Sequence, residues 1–257
     1  MALLEINNVS LSFGGLKAVD DVSLYVNKGE IVSLIGPNGA GKTTMFNILT
    51  GIYKIDHGGI LFDGYPIQNK IPQDIVKAGI SRTFQNIRLF RNIRVIENVL
   101  VGCHITIKYN FFDALFRTPK YRRAERQNMV RAVRLLYDVG LSHRVHDYAS
   151  NLPYGEQRKL EIARALATGA KLILLDEPAA GMNPQESAEL LRFILGLRGR
   201  GYTILMIEHD MSVVMNISDR IYVLDYGKLI SQGLPQEVAN DPKVIEAYLG
   251  GIQNVEN

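Results

Sequence analysis

The sequence predicts an α/β protein with a parallel sheet, because buried strand-like runs alternate with helical patterns along the chain. Three largely apolar runs have the length of buried strands, at 31–35, 171–175 and 203–207. A glycine-rich turn and a helix from about Lys42 to Leu49 follow the first run, and a helical pattern from Gln185 to Leu197 separates the other two. Strands that alternate with helices in this way join through right-handed crossovers into a parallel sheet.

Two other kinds of segment flank or interrupt this core. Residues 3–13 and 22–26 alternate loosely between apolar and polar, which predicts antiparallel strands of an N-terminal β subdomain. The stretch 86–150 is rich in arginine and aromatics, has helical periodicity from about Arg122 to Val139 and contains no strand-like run. We therefore predict one domain over residues 1–257, with a helical subdomain inserted at approximately 86–165.

The end of the chain predicts one more strand, a turn and a closing helix. The strand is expected at 221–224, and Tyr226-Gly227-Lys228 is typical of a hairpin turn. A short helix is expected from Pro242 to Leu249, ending at Gly250-Gly251.

The composition favours one large domain with a substantial core, since 47% of the 257 residues are hydrophobic. The net charge of +3, from 29 basic and 26 acidic residues, is too small to indicate nucleic-acid binding. The single cysteine, Cys103, can form neither an internal disulfide nor a cysteine metal site, which is typical of a reducing compartment. We expect no signal peptide, and the apolar runs are far shorter than the ~20 residues that span a bilayer.

A phosphate-binding pattern lies between the first buried strand and the helix after it. It consists of Gly36, Pro37, Asn38, Gly39, Ala40, Gly41, Lys42 and Thr43, followed by Thr44, and satisfies G-x-x-x-x-G-K-[ST]. The glycines let backbone N–H groups curl round a phosphate, and the helix N-terminus adds the positive end of its dipole. Lys42 supplies a cation for the β- and γ-phosphates, and the Thr43 hydroxyl can bind Mg²⁺. A chance glycine-rich turn would lack the strand before it and the helix after it.

Two acids, Asp176 and Glu177, follow the second buried strand. The strand places Asp176 where a magnesium shell would lie, as in other phosphate-loop ATPases. Glu177 lies at the strand's end, where it can polarise a water against the γ-phosphate. An acidic pair at the end of a strand is ordinarily just exposed to solvent. The presence of the phosphate loop is what favours a catalytic role for this pair.

Several motifs, in order along the chain, resemble those of ABC transporter ATPases. The segment Leu152 to Leu166 resembles the family signature and its helix, with Gly155 at the second glycine of the L-S-G-G-Q pattern. Three single residues also match: Phe13 the aromatic upstream of the phosphate loop, Gln85 the Q-loop glutamine, and His209 the histidine just beyond a strand. An isolated histidine at a strand end is usually packed or solvated. All of these motifs occurring in order, from roughly Leu4 to Gly233, is specific for the resemblance to this family.

This resemblance implies an ABC ATPase fold in which two cassettes clamp two ATP molecules, each phosphate loop facing the other chain's signature helix. Phe13 would stack on adenine, Gly155 would contact ATP across the dimer, and His209 would hold the γ-phosphate and attacking water. Gln85 would sense Mg²⁺ and couple to the membrane partner. The implied catalytic residues are Lys42, Glu177 and His209, and the implied Mg²⁺ ligands, partly through water, are Thr43, Gln85 and Asp176.

Segments 176–184, 207–211 and 244–250 are similar to branched-chain amino acid importers, in particular to an ATPase subunit with a longer helical insert. Relatives of that subunit serve urea and short-amide uptake. The resemblance implies transmembrane permease subunits, a second ATPase subunit in a homo- or heterodimer, and indirectly a solute-binding protein. It implies a cytoplasmic location at the inner face of the cell membrane and no nucleic acid.

Two other classes of protein compete with the importer hypothesis. One is a soluble ABC ATPase that acts on nucleic acid or ribosomes, although those generally carry tandem cassettes, zinc modules or coiled-coil arms. The other is a small-molecule P-loop kinase, which has no use for a signature helix.

The sequence departs from the family pattern at two positions. Pro153 stands where most members have the signature serine, whose hydroxyl touches the γ-phosphate across the dimer. Asn183 replaces the usual D-loop aspartate. Neither change touches Lys42, Asp176 or Glu177, so we expect an active ATPase.

Aromatic and basic residues interleave between 108 and 126. They are Tyr109, Phe111, Phe112, Phe116 and Tyr121, with Lys108, Arg117, Lys120, Arg122, Arg123 and Arg126. They could form a surface for lipid headgroups or membrane subunits, or the aromatics could pack the helical subdomain under a solvated basic face. We favour packing, because the aromatics are too clustered for a clean amphipathic stripe.

Overall fold

The computed structural model of the chain describes residues 2–107 and 109–253, so Lys108 of the basic set lies outside the described residues. The strands are β1 (Ala2–Phe13), β2 (Leu16–Asn27), β3 (Ile31–Ile35), β4 (His57–Phe62), β5 (Tyr65–Pro66), β6 (Ile80–Arg82), β7 (Leu172–Asp176), β8 (Thr203–Ile207), β9 (Arg220–Asp225) and β10 (Lys228–Gly233). The α-helices are α1 (Lys42–Leu49), α2 (Pro72–Ala78), α3 (Val95–Cys103), α4 (Phe111–Leu115), α5 (Pro119–Asp138), α6 (Tyr154–Ala167), α7 (Pro184–Gly199), α8 (Met211–Ile217), α9 (Pro235–Ala239) and α10 (Pro242–Gln253). Short 3₁₀ helices cover His104–Thr106, Ser142–Arg144 and Ala149–Asn151.

The first of two compact units comprises the described residues of 1–82, 171–178 and 194–257. It contains an antiparallel sheet in the order β2-β1-β4-β5 and a six-stranded sheet in the order β10-β9-β3-β8-β7-β6. Strands β9, β3, β8, β7 and β6 pair in parallel, and β10 pairs antiparallel with β9. Every residue of β3, β7 and β8 is buried, as expected of central parallel strands. The predicted α/β class and parallel core are confirmed.

The core of this unit joins both sheets to α1. One continuous apolar cluster contains Phe46 of α1, Ile6 of β1, Leu34 of β3 and Leu224 of β9, all essentially inaccessible to solvent. Burial of such side chains contributes ~1.5–3 kcal/mol each, so this cluster fixes α1 against the two sheets.

The second unit comprises residues 83–170 and 179–193 and is mainly helical. Helices α3 and α6 approach closely at Gly102, where an added Cβ would overlap the carbonyl oxygen of Arg164 and lie 2.8 Å from Ala167 Cβ. Helix α5 buries Ala132, Leu135 and Leu136 on its inner side. A side chain at position 102 would therefore push the helices apart.

Most predicted elements lie where expected, with differences at their ends. Helix α5 begins at Pro119 rather than near Arg122, because Thr118 accepts a hydrogen bond from the Tyr121 N–H and proline fits the first helical position. The predicted end of the closing helix at Gly250-Gly251 is wrong, since α10 continues to Gln253. Each helical glycine costs ~1 kcal/mol but keeps its N–H, so it does not by itself end a helix.

The packing interpretation of the aromatic segment is wrong for three of its five rings. Phe111, Phe112 and Phe116 are exposed, because α4 is little more than one turn long and buries no residue. The interpretation is confirmed for Tyr109 and Tyr121, whose rings meet edge to face at 5.0 Å.

No helix among the described residues has both the length and the apolar character needed to cross a bilayer.

Candidate nucleotide-binding site

Three neighbouring parallel strands bring predicted site residues to one edge of the six-stranded sheet. Strand β3 runs directly into the phosphate loop, β7 ends at Asp176, and β8 is followed by Glu208 and His209. Asp176 pairs in register with Ile207, the last residue of β8. Because the carboxyl ends of parallel strands meet at one edge, the loop, both acids and the histidine share that edge.

Two glycines of the phosphate loop occupy positions that other residues cannot. Gly36 has φ +147°, and a Cβ there would overlap the carbonyl oxygen of Leu224. Gly41 has φ +101°, and a Cβ there would lie 2.5 Å from the carbonyl oxygen of Ala18. A Cβ added to Gly39 would have no atom within 4 Å. The loop is therefore held against the sheet on one side and left free for a ligand on the other.

Lys42 is the first residue of α1, and its side chain reaches back to the start of the phosphate loop. Its Nζ donates to the carbonyl oxygens of Gly36 at 2.6 Å and Pro37 at 2.8 Å, and the residue is 8% exposed. Burial lowers the pKa of Lys42, opposed by the Glu177 carboxylate, which raises it. The loop thus holds an ammonium whose charge an incoming anion would stabilise.

The loop borders an open cavity of about 480 Å³, within the size range of small-molecule sites. Its lining consists of Asn38, Gly39, Ala40, Gly41, Lys42, Thr43, Thr44, Glu177, Leu16, Lys17, Ala18 and Tyr226. Phe13 pairs with Leu16 across the β1–β2 turn, and its ring meets Tyr53 edge to face at 5.1 Å. Sequence reasoning missed Leu16, Lys17 and Ala18, because only the fold brings β2 beside the loop. The sequence predicts only a turn at Tyr226 and gives no sign that it lines this cavity.

Glu177 and His209 face each other at this edge. Oε2 of Glu177 is 3.7 Å from Nδ1 of His209, a contact that becomes an ion pair when the imidazole is protonated. The Glu177 backbone has φ +45° and its N–H donates to the carbonyl oxygen of Ile207 at 3.0 Å. A left-handed conformation is uncommon for glutamate, and such strain concentrates at functional sites.

Asp176 is paired with a residue that sequence reasoning did not single out. Nη2 of Arg82 lies 2.6 Å from Oδ2 of Asp176, and both side chains are nearly buried. Nη1 of Arg82 donates to Oδ1 of Asn47 at 2.7 Å, and the guanidinium lies over the Phe46 ring. The one signal in the sequence was its position, since Arg82 lies three residues before Gln85.

In the second unit, Pro153 is the N-cap residue of α6 and Gly155 is the second helical residue. The Cβ direction of Gly155 is open, and its N–H falls in the first turn, where no intrahelical acceptor exists. Nε2 of Gln157 donates to the carbonyl oxygen of Leu152 at 2.8 Å. This bond links the first turn of α6 to the residues that precede the helix.

A buried arginine of the signature helix holds the backbone of Gln85. Arg158 is inaccessible to solvent, and its guanidinium donates to the carbonyl oxygens of Phe84 at 2.7 Å and Gln85 at 2.8 Å. It also pairs with Glu161 at 2.9 Å. Within this unit, Arg158 therefore joins the predicted signature to the predicted Q-loop. The sequence alone does not indicate this link.

Asn183 caps α7. Its Oδ1 accepts from the Glu186 N–H at 2.9 Å, and Glu186 Oε2 accepts from the Asn183 N–H at 3.1 Å. Asparagine thus supplies the acceptor that an aspartate would supply, without its negative charge.

Residues 19–180 match the ABC transporter family model. The chain belongs to the ABC transporter family. Residues 228–252 of this ABC chain also match the model of the branched-chain amino acid ATP-binding cassette transporter. The family predicted from the motifs is therefore confirmed.

Relatives extend this match over almost the whole chain. The high-affinity branched-chain amino acid transport ATP-binding protein LivG of Salmonella typhimurium is 50% identical over 249 residues, covering 96% of this chain and 98% of LivG. BraF of Pseudomonas aeruginosa, which carries the same description, is 46% identical over 249 residues, covering 96% of this chain and 98% of BraF.

Solved structures agree with the fold. A crystal structure of the ADP conformation of an ABC transporter cassette has a TM-score of 0.85 at 37% identity, covering 97% of this ABC chain and 99% of that one. A nucleotide-free cassette has a TM-score of 0.83 at 36% identity, covering 96% and 99%.

Proposed function

We propose that this chain is the ATP-binding and ATP-hydrolysing subunit of an ABC importer for branched-chain amino acids or a related amino acid or amide. The observation that carries the proposal is the phosphate loop around buried Lys42, at the sheet edge where Glu177 and His209 face each other. The 50% identity to LivG over 96% of the chain supports the class of solute.

The residues at this edge fit ATP with Mg²⁺. Thr43 and Asp176 offer a hydroxyl and a carboxylate, oxygen donors of the kind Mg²⁺ prefers when phosphates and waters complete its shell. Gln85 would add an amide oxygen, partly through water. When bound, the ion would neutralise charge on the β- and γ-phosphate oxygens.

The chain's own groups would then act in sequence. Backbone N–H groups of 39–43 and the Lys42 ammonium would bind the phosphates, while Phe13 would stack on adenine. Glu177 would accept a proton from the water that attacks the γ-phosphate. His209 would hold that water and a phosphate oxygen in line.

We further propose how the subunit is assembled. The whole chain forms one ATPase domain with its helical insert at about 86–165, and two such subunits, identical or related, place Gly155 against each other's ATP. Closure on ATP and opening after hydrolysis would drive permease subunits at the inner face of the membrane, fed by a solute-binding protein. A soluble ABC ATPase acting on nucleic acid or ribosomes is less supported, because residues 228–252 match the branched-chain transporter model.

Uptake of radiolabelled leucine tests the proposal in cells that carry this chain together with the permease subunits of the proposed transporter. We expect ATP-dependent uptake, and none with Glu177→Gln. Uptake that persists in the variant would contradict the proposal. If urea or a short amide were taken up instead of leucine, the ATPase role would be supported and the assigned solute would be wrong. Two permease genes and a binding-protein gene beside this one would support the importer directly.

A further inference from the structure

The short helix α4 presents an apolar surface to solvent. Phe111, Phe112, Leu115 and Phe116 are 74%, 65%, 60% and 72% exposed. Single exposed apolar residues are ordinary, but four large ones within six positions form a contiguous patch of the kind that marks an interaction site.

This patch is held by polar groups and not by burial of its rings. Oδ1 of Asn110 accepts from the Asp113 N–H at 2.8 Å, and the Thr118 hydroxyl donates to Asp113 at 2.9 Å. The Tyr109 hydroxyl donates to Glu125 of α5 at 2.9 Å, which ties the chain before α4 to that helix. The aromatics are thus displayed on a segment ordered by its own caps.

The segment that carries the patch has a strong positive charge. Between residues 109 and 134 there are seven Lys and Arg residues against two acidic residues, a net charge of +5, whereas the whole chain carries +3. Both acids are engaged, Asp113 with Thr118 and Lys120, and Glu125 with Tyr109. The exposed residues Arg117, Arg122, Arg123 and Arg126 pair with no acid in the part of the chain that the structure describes.

The outer side of α5 continues the same pattern. Val130, Val133 and Tyr137 are exposed and recur at helical spacing, with Arg126 and Arg134 on the same side. What we call the aromatic-basic surface consists of these residues with the aromatic and aliphatic side chains of α4 and the exposed arginines of α5, namely Phe111, Phe112, Leu115, Phe116, Arg122 and Arg123.

We propose that the aromatic-basic surface binds the anionic interface of a lipid bilayer, with its aromatic rings at headgroup depth and its arginines on lipid phosphates. Aromatic and aliphatic side chains beside arginines are the chemistry of interfacial segments, and arginine binds phosphate with two parallel N–H groups. Cytoplasmic loops of membrane proteins themselves carry excess Lys and Arg, so a surface of exposed arginines complements anionic lipid better than it complements a permease loop.

This inference adds a lipid contact to the membrane association under the proposed function, on which it rests. It is tested on purified full-length chain with no permease present. The probes are sedimented vesicles of phosphatidylcholine alone and of phosphatidylcholine with about 30% phosphatidylglycerol, an anionic lipid. ATPase activity of each variant in solution is measured alongside, so that failure of lipid binding and failure of the ATPase assignment are distinguishable.

Two variants remove the two halves of the surface. One carries Phe111→Ser, Phe112→Ser and Phe116→Ser, and the other carries Arg122→Gln, Arg123→Gln and Arg126→Gln. A matched control changes exposed residues of the first unit, Tyr65→Ser and Ile71→Ser with Lys54→Gln and Lys70→Gln.

We expect the parent to bind the anionic vesicles and to leave them at high salt, because screening weakens charge attraction. Each arginine removed should lower affinity about fivefold, from the usual contribution of a basic residue at an anionic surface. The serine variant should lose binding, and the control should keep it. Absence of parental binding, equal binding to neutral vesicles, or variants that bind like the control would overturn the proposal. In a separate capture assay with detergent-solubilised permease, variants that keep vesicle binding but no longer capture the permease would assign the surface to the permease and overturn the proposal.

Discussion

The guanidinium of Arg82 lies 2.6 Å from the carboxylate of Asp176, and both side chains are nearly buried. Strands β6 and β7 are neighbours in the sheet, so this pair spans two adjacent strand ends. Asn47 of α1 accepts from the same guanidinium. Arg82 therefore fixes the orientation of the carboxylate predicted to bind Mg²⁺, relative to the helix that begins at the phosphate loop.

Arg82→Lys should keep the charge but lose the geometry. An ammonium cannot reproduce the planar fork that reaches Asp176 and Asn47 together, so Asp176 should be less firmly held. We expect the Mg²⁺ concentration for half-maximal ATPase activity to rise several-fold, with a modest loss of thermal stability. Arg220→Lys, which changes a 2.8 Å pair with Glu30, is the matched control. It should lower stability without changing the Mg²⁺ dependence, and an equal response of both variants would remove the positioning role.

Lys42→Ala should abolish ATP hydrolysis and weaken ATP binding. The Lys42 ammonium donates to the carbonyl oxygens of Gly36 and Pro37 inside the loop, and burial lowers its pKa, so a bound phosphate would stabilise its charge. The variant should therefore lose the thermal stabilisation that ATP gives the parent. Turnover within about threefold of the parent would contradict the assigned site.

Glu177→Gln should keep ATP binding while hydrolysis slows by ~10²–10⁴, the usual cost of removing a positioned base. ATP should then accumulate in a closed dimer, seen as a larger species in gel filtration with ATP, if needed with the partner ATPase present. Asp74→Asn, at an exposed acid of α2, is the control and should hydrolyse normally. Normal hydrolysis by the Glu177 variant would instead assign more of the chemistry to His209.

Arg158→Ala should destabilise the second unit strongly. Removal of one partner of a buried ion pair typically costs ~3–5 kcal/mol, and here the carbonyl groups of Phe84 and Gln85 also lose their donor. We expect a lower midpoint in urea unfolding followed by circular dichroism. The exposed Arg134→Ala on α5 should change the midpoint little. Equal midpoints for the two variants would show that the Arg158 contacts contribute nothing.

Local features of this protein were predictable and distant pairings were not. The phosphate loop could be recognised because its strand, glycines, Lys42 and helix are consecutive in the sequence. Arg82 could not, since its role depends on β6 lying beside β7 although about ninety residues separate them. Arg158 stands in a helix among other charged residues, and only the folded helix buries it. The exposure of Phe111 was hidden because one turn of helix is too short to display a periodic pattern.

Pro153 departs most plainly from the family pattern, and the structure clarifies what it lacks. It is the N-cap residue of α6, where the missing N–H costs the helix nothing. Serine at an N-cap accepts a hydrogen bond from an N–H of the first turn and can still donate its own proton outward. Pro153→Ser should therefore tighten the ATP-bound dimer, most visibly with Glu177→Gln. A hydrogen bond to a charged phosphate is worth ~1.5–3 kcal/mol, which corresponds to about 10- to 150-fold in dissociation constant.

Three variants separate the contribution of a serine hydroxyl to dimer closure from that of the backbone N–H groups. For each variant the dissociation constant of the dimer is measured as a function of ATP concentration. Pro153→Ala removes the ring without adding a donor, so it should leave closure near the parental value. Gly155→Asp places a carboxylate where the Cβ direction is open, and its repulsion of the phosphate should block closure. If Pro153→Ser and Pro153→Ala behave alike while Gly155→Asp blocks closure, this signature works through backbone donors and the helix dipole alone. If Gly155→Asp closes normally, residues 152–157 do not contact ATP and their assignment as the signature is wrong.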